Sequence, residues 1–294
     1  MRVLIVRDAP DGTIEKLEHR QMGTRLGEGL RDGGTLAPAA VERTLAAARE
    51  FAAVAHDYRA TLACIATSAV RRAADGAAFG ARVEALTGSP LQVLSGAQEA
   101  AASFRGATHG VAFDGRRVAV LDIGGGSTEC AVGRCGVLGE ACSLEIGSVR
   151  VAECFPALLG GDPGAVARET AVAARTFVSA TLAPLREIGP IGELLCVAGT
   201  PLTIAAVIAG THVDEVSGSS LEKVELDAMI ERLLDLYVDE RRVLAGMLAQ
   251  RADIIVGGAL ILSEAMRALG VARGLLEEND LLFGFLIGGA LGSR

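Results

Sequence analysis

The fold is decided by the stretch from Val118 to Gly133, which reads VAVLDIGGGSTECAVG. An apolar run at its start is typical of a buried strand, and this run ends at a carboxylate, Asp122. Three consecutive glycines, two hydroxyl residues and a second carboxylate come next, before another apolar run. These residues are Gly124, Gly125, Gly126, Ser127, Thr128 and Glu129. The stretch therefore predicts two strands joined by a tight glycine-rich turn.

The predicted turn has the composition of an anion-binding site. Glycine has no Cβ, so backbone N–H groups can come close to an anion, and it adopts positive φ without steric cost. Successive N–H groups in such a turn form a concave nest for phosphate. Asp122 at the strand end can hold Mg²⁺, a hard cation that shares oxygen ligands with phosphate. A plain hairpin with a flexible turn is the alternative, but it has no use for acids on both sides of three glycines.

The composition of the 294-residue chain argues against several classes of function. A net charge of −8 disfavours nucleic acid as a partner, and a chain with no Trp and two Tyr lacks stacking platforms for single strands. The six cysteines form no Cys-x-x-Cys pair, which favours reduced thiols in the cytosol over a zinc site or a disulfide framework. The start, MRVLIVRD, is too short and too soon charged for a signal peptide. The most apolar long window, residues 194–210, predicts a strand, a loop and a helix instead of a membrane span.

The segment before the turn supplies hydrogen-bond donors and a further acid. Asp11-Gly12 predicts a turn between two initial strands. A short apolar run over residues 62–66 leads into TSAVRR, and donors at a strand end lie where ligands bind in open α/β sheets. Ser95 can cap a helix that places Glu99 in its first turn. The Glu99 carboxylate there either takes part in the chemistry of a site or only stabilises the helix dipole. Arg25, in the glycine-punctuated loop 22–30, faces either an anion or solvent.

The segment after the turn contains a second glycine-hydroxyl loop. Residues 194–197 predict a strand, AGTPLT (198–203) a loop at its end, and residues 204–208 a helix. Two such loops in separate β-rich segments favour a duplicated α/β architecture with phosphate between the halves. Polar, glycine-containing residues 108–117 predict a domain boundary. Further helices are predicted over 38–57, 222–235, 238–248 and 253–269.

Five motifs, found in the expected order along the chain, resemble those of the exopolyphosphatase and guanosine pentaphosphate phosphatase (Ppx/GppA) family. They are ATSAVRRA (66–73), SGAQEA (95–100), LDIGGGSTE (121–129), VAGTPLTIAA (197–206) and RADIIVGGALIL (251–262). The resemblance covers nearly the whole chain. It implies an α/β fold of two ribonuclease-H-like domains, related to actin, Hsp70 and sugar kinases, with the active site in the cleft. The domains expected are residues 1–112, with 281–294 as a candidate addition, and residues 113–280.

The resemblance also implies a role for each matching residue. Glu99 is expected to be the catalytic base, and Asp122 and Glu129 are expected to hold Mg²⁺ and position the attacking water. The expected substrate contacts are Gly124, Gly125, Gly126, Ser127, Thr128, Gly199, Thr200 and Arg71, to which the sequence pattern adds Arg25.

The implied activity is Mg²⁺-dependent release of terminal orthophosphate from inorganic polyphosphate. Hydrolysis of guanosine pentaphosphate (pppGpp) is the alternative, and a polyphosphate- or nucleotide-binding protein with impaired catalysis is an alternative from another class. An ATP-dependent sugar kinase fits less well, because it has no use for Glu99 beside Ser95-Gly96. We further expect a cytoplasmic homodimer that binds neither nucleic acid nor membranes.

The start of the chain departs from the family pattern. Members begin with an extra strand and a phosphate loop resembling I-D-x-G-S/T-N-S, and Met1 falls where that loop should finish. The expectation is a first domain truncated at its N-terminus, either because translation starts upstream or because the protein is a variant with weakened chemistry. In either case the strand predicted over residues 2–7 should lie beside the absent strand, so the sheet is expected to close up, recruit another segment or expose strand edges.

Overall fold

The computed structural model describes residues 1–9 and 13–290, which form two compact units, Met1–Ser95 and the residues from Gly96 onward. The strands are β1 (Arg2–Asp8), β2 (Ile14–Gln21), β3 (Cys64–Ala66), β4 (Leu91–Val93), β5 (Arg117–Ile123), β6 (Thr128–Arg134), β7 (Val137–Leu144), β8 (Glu193–Val197), β9 (Ser220–Glu222) and β10 (Arg273–Leu276). The helices are α1 (Pro38–Asp57), α2 (Ser68–Arg72), α3 (Gly76–Thr87), α4 (Gly96–Thr108), α5 (Ser148–Cys154), α6 (Ala165–Thr181), α7 (Gly199–Ala209), α8 (Lys223–Leu234), α9 (Val238–Arg242), α10 (Ile255–Ala268) and α11 (Leu281–Ala290). Short 3₁₀ turns lie at Pro156–Leu159, Ala183–Glu187, Val213–Glu215 and Ala249–Arg251. The turn predicted at Asp11-Gly12 and the end of the segment 281–294 lie outside the described residues.

In the first unit, four strands pair two by two. β1 runs antiparallel to β2, β3 runs parallel to β4, and within the described ranges neither pair adds a third strand. The helix α1 is long enough to contribute side chains to two separate apolar clusters. Val41 and Leu45, near its start, pack with α2 and α3, and Phe51, near its end, packs on Val3 and Ile5 of β1. The core of this unit is therefore divided along α1.

The second unit is built on a mixed sheet of strand order β7-β6-β5-β8-β10-β9. β5 lies parallel to β8 and antiparallel to β6, so the glycine-rich turn closes a hairpin as predicted. Both faces of β5 are buried, with Ala119 and Leu121 in one core and Val118 and Val120 in the other. This two-sided burial explains why the strand reads as a continuous apolar run.

Helices cover both faces of this sheet. The larger core lies under α5, α6, α7, α8 and α10, and the smaller one lies under α4, which contributes Phe104. α11 packs behind α4, and the two helices approach closely because Gly284 has no side chain; a Cβ there would overlap the carbonyl oxygen of Ala102. Since α4 belongs with β5 and β6, the chain divides after Ser95 and not at the expected boundary of residue 112.

Two predicted helices differ from the observed ones. The helix expected over 238–248 ends at Arg242, and the chain then turns through Gly246, whose φ is +81°. The helix expected over 204–208 begins five residues earlier, at Gly199. By contrast, α1 has the predicted bounds, residues 38–57. No helix in the described ranges is both long enough and apolar enough to cross a membrane.

Candidate active site

The strand register places two acids side by side on the second sheet. Val197 of β8, Asp122 of β5, Glu129 of β6 and Ser143 of β7 are successive cross-strand partners. Cross-strand partners point to the same face, so these side chains form a row across the sheet. The neighbours of Asp122 along β5 belong to the larger core on the opposite face. The row therefore lies on the face that α4 covers.

The first turns of α4 bring a third acid to this row. Glu99 and Ser103 are one helical turn apart and share one face of the helix. Both side chains are buried, and the Ser103 hydroxyl donates a hydrogen bond to Asp122 Oδ2 at 2.5 Å. The Ser143 hydroxyl donates to Glu129 Oε1 at 2.7 Å, and the Glu99 and Glu129 carboxyls share a hydrogen bond. Three carboxyl groups from two strands and one helix thus meet at one place.

The start of α4 is held against β7 by a glycine. A Cβ on Gly96 would lie 2.6 Å from Ser143 Oγ, so only glycine fits at the first position of the helix. This close approach fixes the height of Glu99 above the sheet. Gly96 was part of the SGAQEA motif, but the sequence alone does not show its contact with Ser143.

Burial concentrates negative charge in the site. Glu99, Asp122 and Glu129 are 3%, 7% and 4% exposed. Burial, followed by the negative charges of Asp122 and Glu99, raises the pKa of Glu129 to about 9, against the opposing effect of the Ser143 hydrogen bond. Without a cation, Glu129 therefore keeps its proton at neutral pH, a form that the hydrogen bond with Glu99 stabilises.

Hydrogen bonds at Gly124 hold the glycine-rich turn, and two backbone N–H donors of the turn are left for a ligand. The Gly124 N–H donates to the Ser127 carbonyl at 3.0 Å, and the Gly124 carbonyl accepts from the Ser148 N–H at 3.0 Å. Within the described residues, the N–H groups of Gly125 and Gly126 donate to no acceptor. Such a pair of adjacent, unused N–H groups suits the oxygens of a phosphoryl group.

Gly124 and Gly125 have little room for a side chain, because a Cβ would lie 3.1 Å from the Ser127 carbonyl oxygen and 3.3 Å from Val149 Cγ2, respectively. None of the glycines at positions 124–126 has left-handed φ, so the positive φ expected in this turn from the sequence is not found. Gly147, on the next turn of the chain, packs closely on the same segment, because a Cβ on Gly147 would lie 2.5 Å from Gly126 N. Thr128 is fully buried and donates to the Ile146 carbonyl at 2.6 Å, which links the same two segments. Ser127 is also buried.

The second predicted phosphate loop is the first turn of α7. Gly199 and Thr200 are its first two residues, and the chain reverses between β8 and α7 through Ala198, whose φ is +69°. Thr200 is 1% exposed, and within the described ranges its hydroxyl has no hydrogen-bond partner. A buried hydroxyl without a partner at a helix N-terminus is suited to an anionic ligand.

A residue of α10 joins the two glycine-hydroxyl turns. A Cβ on Gly258 would lie 2.8 Å from Thr200 Oγ1 and 3.2 Å from Ser148 Cβ, and Ser148 is bonded to the Gly124 carbonyl. The parallel strands β5 and β8 also end side by side, which brings together the turns that follow them. A further residue that sequence reasoning missed is Arg251, whose Nε would lie 2.6 Å from a Cβ on Gly199.

The predicted arginine contacts lie in the first unit, whereas the carboxylates lie in the second. Arg71 Nη1 donates to the Leu94 carbonyl at 2.8 Å. Arg25 is half-buried and has a φ of +49°, a conformation that costs a non-glycine residue about 1–3 kcal/mol.

The acids fit a divalent cation of the magnesium type. Mg²⁺ usually takes one or two carboxylates and completes its shell with water and phosphate oxygens. Asp122 and Glu129 would supply two such ligands, and the raised pKa of Glu129, caused by burial and by the neighbouring charges, shows a surplus of negative charge there. Within the described residues, no group of three or more acidic, histidine or cysteine side chains has the arrangement of a metal site.

Comparison with known proteins gives consistent matches over almost the whole chain. The model of the Ppx/GppA phosphatase family matches residues 4–279. Exopolyphosphatase 2 of Mycobacterium tuberculosis is 32% identical over 298 residues, which cover 94% of this chain and 90% of that protein. Guanosine-5′-triphosphate,3′-diphosphate pyrophosphatase of Vibrio vulnificus is 27% identical over 294 residues, covering 94% of this chain and 55% of that protein.

A solved structure confirms the α/β fold. The crystal structure of an exopolyphosphatase from Cytophaga hutchinsonii superposes with a TM-score of 0.88 at 22% identity, covering 99% of this chain and 94% of that one.

Proposed function

The chain belongs to the Ppx/GppA phosphatase family, and we propose that it hydrolyses the terminal phosphoanhydride bond of inorganic polyphosphate with Mg²⁺, using Glu99 as the base. The observation that carries this proposal is the meeting of Glu99, Asp122 and Glu129 on one face of the sheet, beside a turn with two unused N–H groups. Such a set can take up a proton, hold a cation and receive phosphate oxygens. Phosphoryl transfer depends mainly on this kind of positioning and charge compensation.

In the proposed reaction, Glu99 accepts a proton from a water molecule. The water oxygen forms a bond to the terminal phosphorus, and the bond from that phosphorus to the bridging oxygen breaks. The shortened chain leaves with the electron pair of that bond, and orthophosphate is released. The N–H groups of Gly125 and Gly126 donate to oxygens of the phosphoryl group, whose charge is spread over its oxygens in a loose transition state.

Asp122 and Glu129 would hold the cation, and Ser103 and Ser143 orient these two carboxylates. When bound there, Mg²⁺ neutralises charge on the phosphates. The burial of both acids keeps their charge close to the substrate and away from screening by water.

The assignment of the base is tested by Glu99→Gln, which keeps the shape of the side chain and removes its basicity. We expect turnover of polyphosphate to fall by about 10²–10⁴-fold while KM changes little, the usual scale for loss of a general base. Phosphate release at saturating substrate is the measurement. The matched control is Glu169→Gln on the exposed face of α6, which should leave turnover unchanged. Full turnover by Glu99→Gln would reject the assignment.

The second candidate substrate is pppGpp, because the relative from Vibrio vulnificus carries that activity in its name. Phosphate release from long polyphosphate, inorganic triphosphate and pppGpp, compared at equal concentration of phosphoryl ends, separates the two. A preference for pppGpp would identify pppGpp as the substrate in place of polyphosphate, and the roles proposed for the three acids would stay the same. A protein that binds these ligands without turnover would instead support a binding function. The homodimer and the cytoplasmic location stay predictions.

A further inference from the structure

A groove of about 1000 Å³ lies on the second unit, between α6, α8 and α10. None of its lining residues contributes to the candidate active site. Four of them are cations, Arg175, Arg186, Lys223 and Arg267, and they face three carboxylates. This set of residues, here called the arginine groove, is thus locally positive on a chain whose net charge is −8.

Two guanidinium groups converge on one hydroxyl in the arginine groove. Arg186 Nη2 and Arg267 Nη2 each donate to Ser179 Oγ at 2.8 Å. Two nitrogens that bond to the same oxygen are necessarily close together, so two positive charges lie within a few ångströms of each other. Like charges at such a separation repel, and a bound anion would relieve this repulsion.

One of these arginines is neutralised and the other is not. Arg267 Nε donates to Glu264 Oε2 at 2.9 Å, and Arg175 Nη1 donates to Glu264 Oε1 at 3.3 Å. The Glu264 side chain is 6% exposed, so it anchors both arginines from the floor of the groove. Arg186, in contrast, bonds only to Ser179 within the described ranges and pairs there with no carboxylate. Its charge is the one left for a ligand.

The geometry selects the chemistry of that ligand. A guanidinium group presents several N–H donors in a plane, which match the oxygens of phosphate in bidentate fashion. Arg186 and Arg267 approach from different elements, the 3₁₀ turn Ala183–Glu187 and α10, and so can grip one tetrahedral anion from two sides. Lys223 is already held by Asp227 at 2.6 Å and adds no free charge.

We propose that the arginine groove binds a phosphoryl group, with Arg186 and Arg267 as its main contacts. The inference goes beyond the proposed catalytic function, because it concerns a second site that needs neither the three acids nor a cation. The phosphoryl group can belong to inorganic polyphosphate or to a phosphate ester such as a nucleotide.

The test is equilibrium binding of inorganic tripolyphosphate and, in a separate arm, of ATP to the full chain in buffer with EDTA. Without a cation, the three acids of the active site disfavour an anion, so binding reports the arginine groove. Arg186→Gln should weaken the binding by about tenfold or more, the scale for loss of a charge-assisted hydrogen bond. The control is Arg242→Gln on α9, which removes the same positive charge at an exposed arginine paired with Asp239. This variant should bind both ligands like the parent.

Loss of binding in Arg186→Gln but not in Arg242→Gln supports the site in either arm. A ligand bound in the tripolyphosphate arm alone identifies inorganic polyphosphate, and equal binding of ATP identifies the terminal phosphoryl group as the shared feature. Equal affinity of Arg186→Gln and the parent, or equal weakening by both variants, overturns the proposal. Phosphate release by Arg186→Gln should stay at the parent's level, which separates this test from the test of Glu99.

Discussion

At the scale of single residues, two serines decide how the acids are presented. Ser103 and Ser143 each donate one hydrogen bond to one oxygen of a carboxylate, Asp122 and Glu129 respectively. A bond of this kind fixes the orientation of the carboxylate before a ligand arrives. Groups that orient metal ligands in this way typically change metal affinity by about 10–100-fold when they are removed.

Ser103→Ala should therefore weaken cation binding and not merely the fold. We expect the dissociation constant for Mn²⁺, used as a spectroscopic substitute for Mg²⁺, to rise by about 10–100-fold, measured by electron paramagnetic resonance without substrate. Ser219→Ala, at an exposed serine, is the control. Identical Mn²⁺ affinity in Ser103→Ala and the parent would show that Ser103 has only a packing role.

Glu129 predicts a pH dependence of stability in the cation-free protein. Burial and the charges of Asp122 and Glu99 raise its pKa from 4.5 to about 9 in the folded state, so the folded protein holds a proton that the unfolded chain releases. The stabilisation is complete below about pH 4.5 and is lost as the pH rises towards 9. In EDTA, the urea midpoint of the parent should fall relative to that of Glu129→Gln between pH 5 and 9. Parallel pH profiles for the two proteins would contradict the raised pKa.

The sequence singled out the three acids as candidates but not the serines that donate to two of them, Asp122 and Glu129. Glu99, Asp122 and Glu129 stand in motifs whose composition points to their chemistry. Ser103 lies four residues after Glu99, and this helical spacing alone places both side chains on one face of the helix. Ser143 becomes visible only through the register between β6 and β7, and register depends on pairing that a single sequence does not specify.

At the scale of elements, the phosphate turn depends on a glycine outside it. Gly147 precedes α5, and the N–H groups that follow it bond to the carbonyls of Gly124 and Gly125. A methyl group at this position would overlap the Gly125 carbonyl group. Because backbone lies on both sides of the contact, a side chain cannot be accommodated by rotation.

Gly147→Ala should thus displace the turn and its two N–H donors. We expect phosphate release to fall at least tenfold, since loss of one preorganised donor costs about 10²–10³-fold in comparable sites. The control is Gly161→Ala, where a Cβ meets no atom within 4 Å and φ is not left-handed. Circular dichroism shows whether the fold survives. Normal activity in Gly147→Ala would mean that the turn does not contact the substrate.

Element boundaries were predicted well where one signal dominated. The bounds of α1 match the predicted residues 38–57, with Pro38 in the first turn, where its missing N–H costs no intrahelical hydrogen bond. The start of α7 was misplaced because Gly199 and Pro201 were interpreted as a loop. Proline is tolerated in the first helical turn, where its missing N–H has no intrahelical partner, and the same residues therefore suit a helix start.

At the scale of the whole molecule, the α/β class followed from the motifs, but the division of the chain did not. The boundary was expected at residue 112, but the first compact unit ends at Ser95 and the second begins at Gly96. The sequence predicted a helix with Glu99 in its first turn, but it did not show on which sheet this helix packs. Phe104 answers this, because it lies in the core beneath β5 and β6.

The register that places Asp122 opposite Glu129 also bears on how such a chain evolves. Two carboxyl groups that face each other across neighbouring strands cannot both ionise without weakening the sheet, so replacing one of them with a neutral residue of similar shape is expected to stabilise the fold. If the chemistry of the site were no longer needed, substitutions at Asp122 or Glu129 would be expected to accumulate. The presence of both acids, each with its own serine donor, is therefore explained better by the proposed chemistry than by the stability of the sheet.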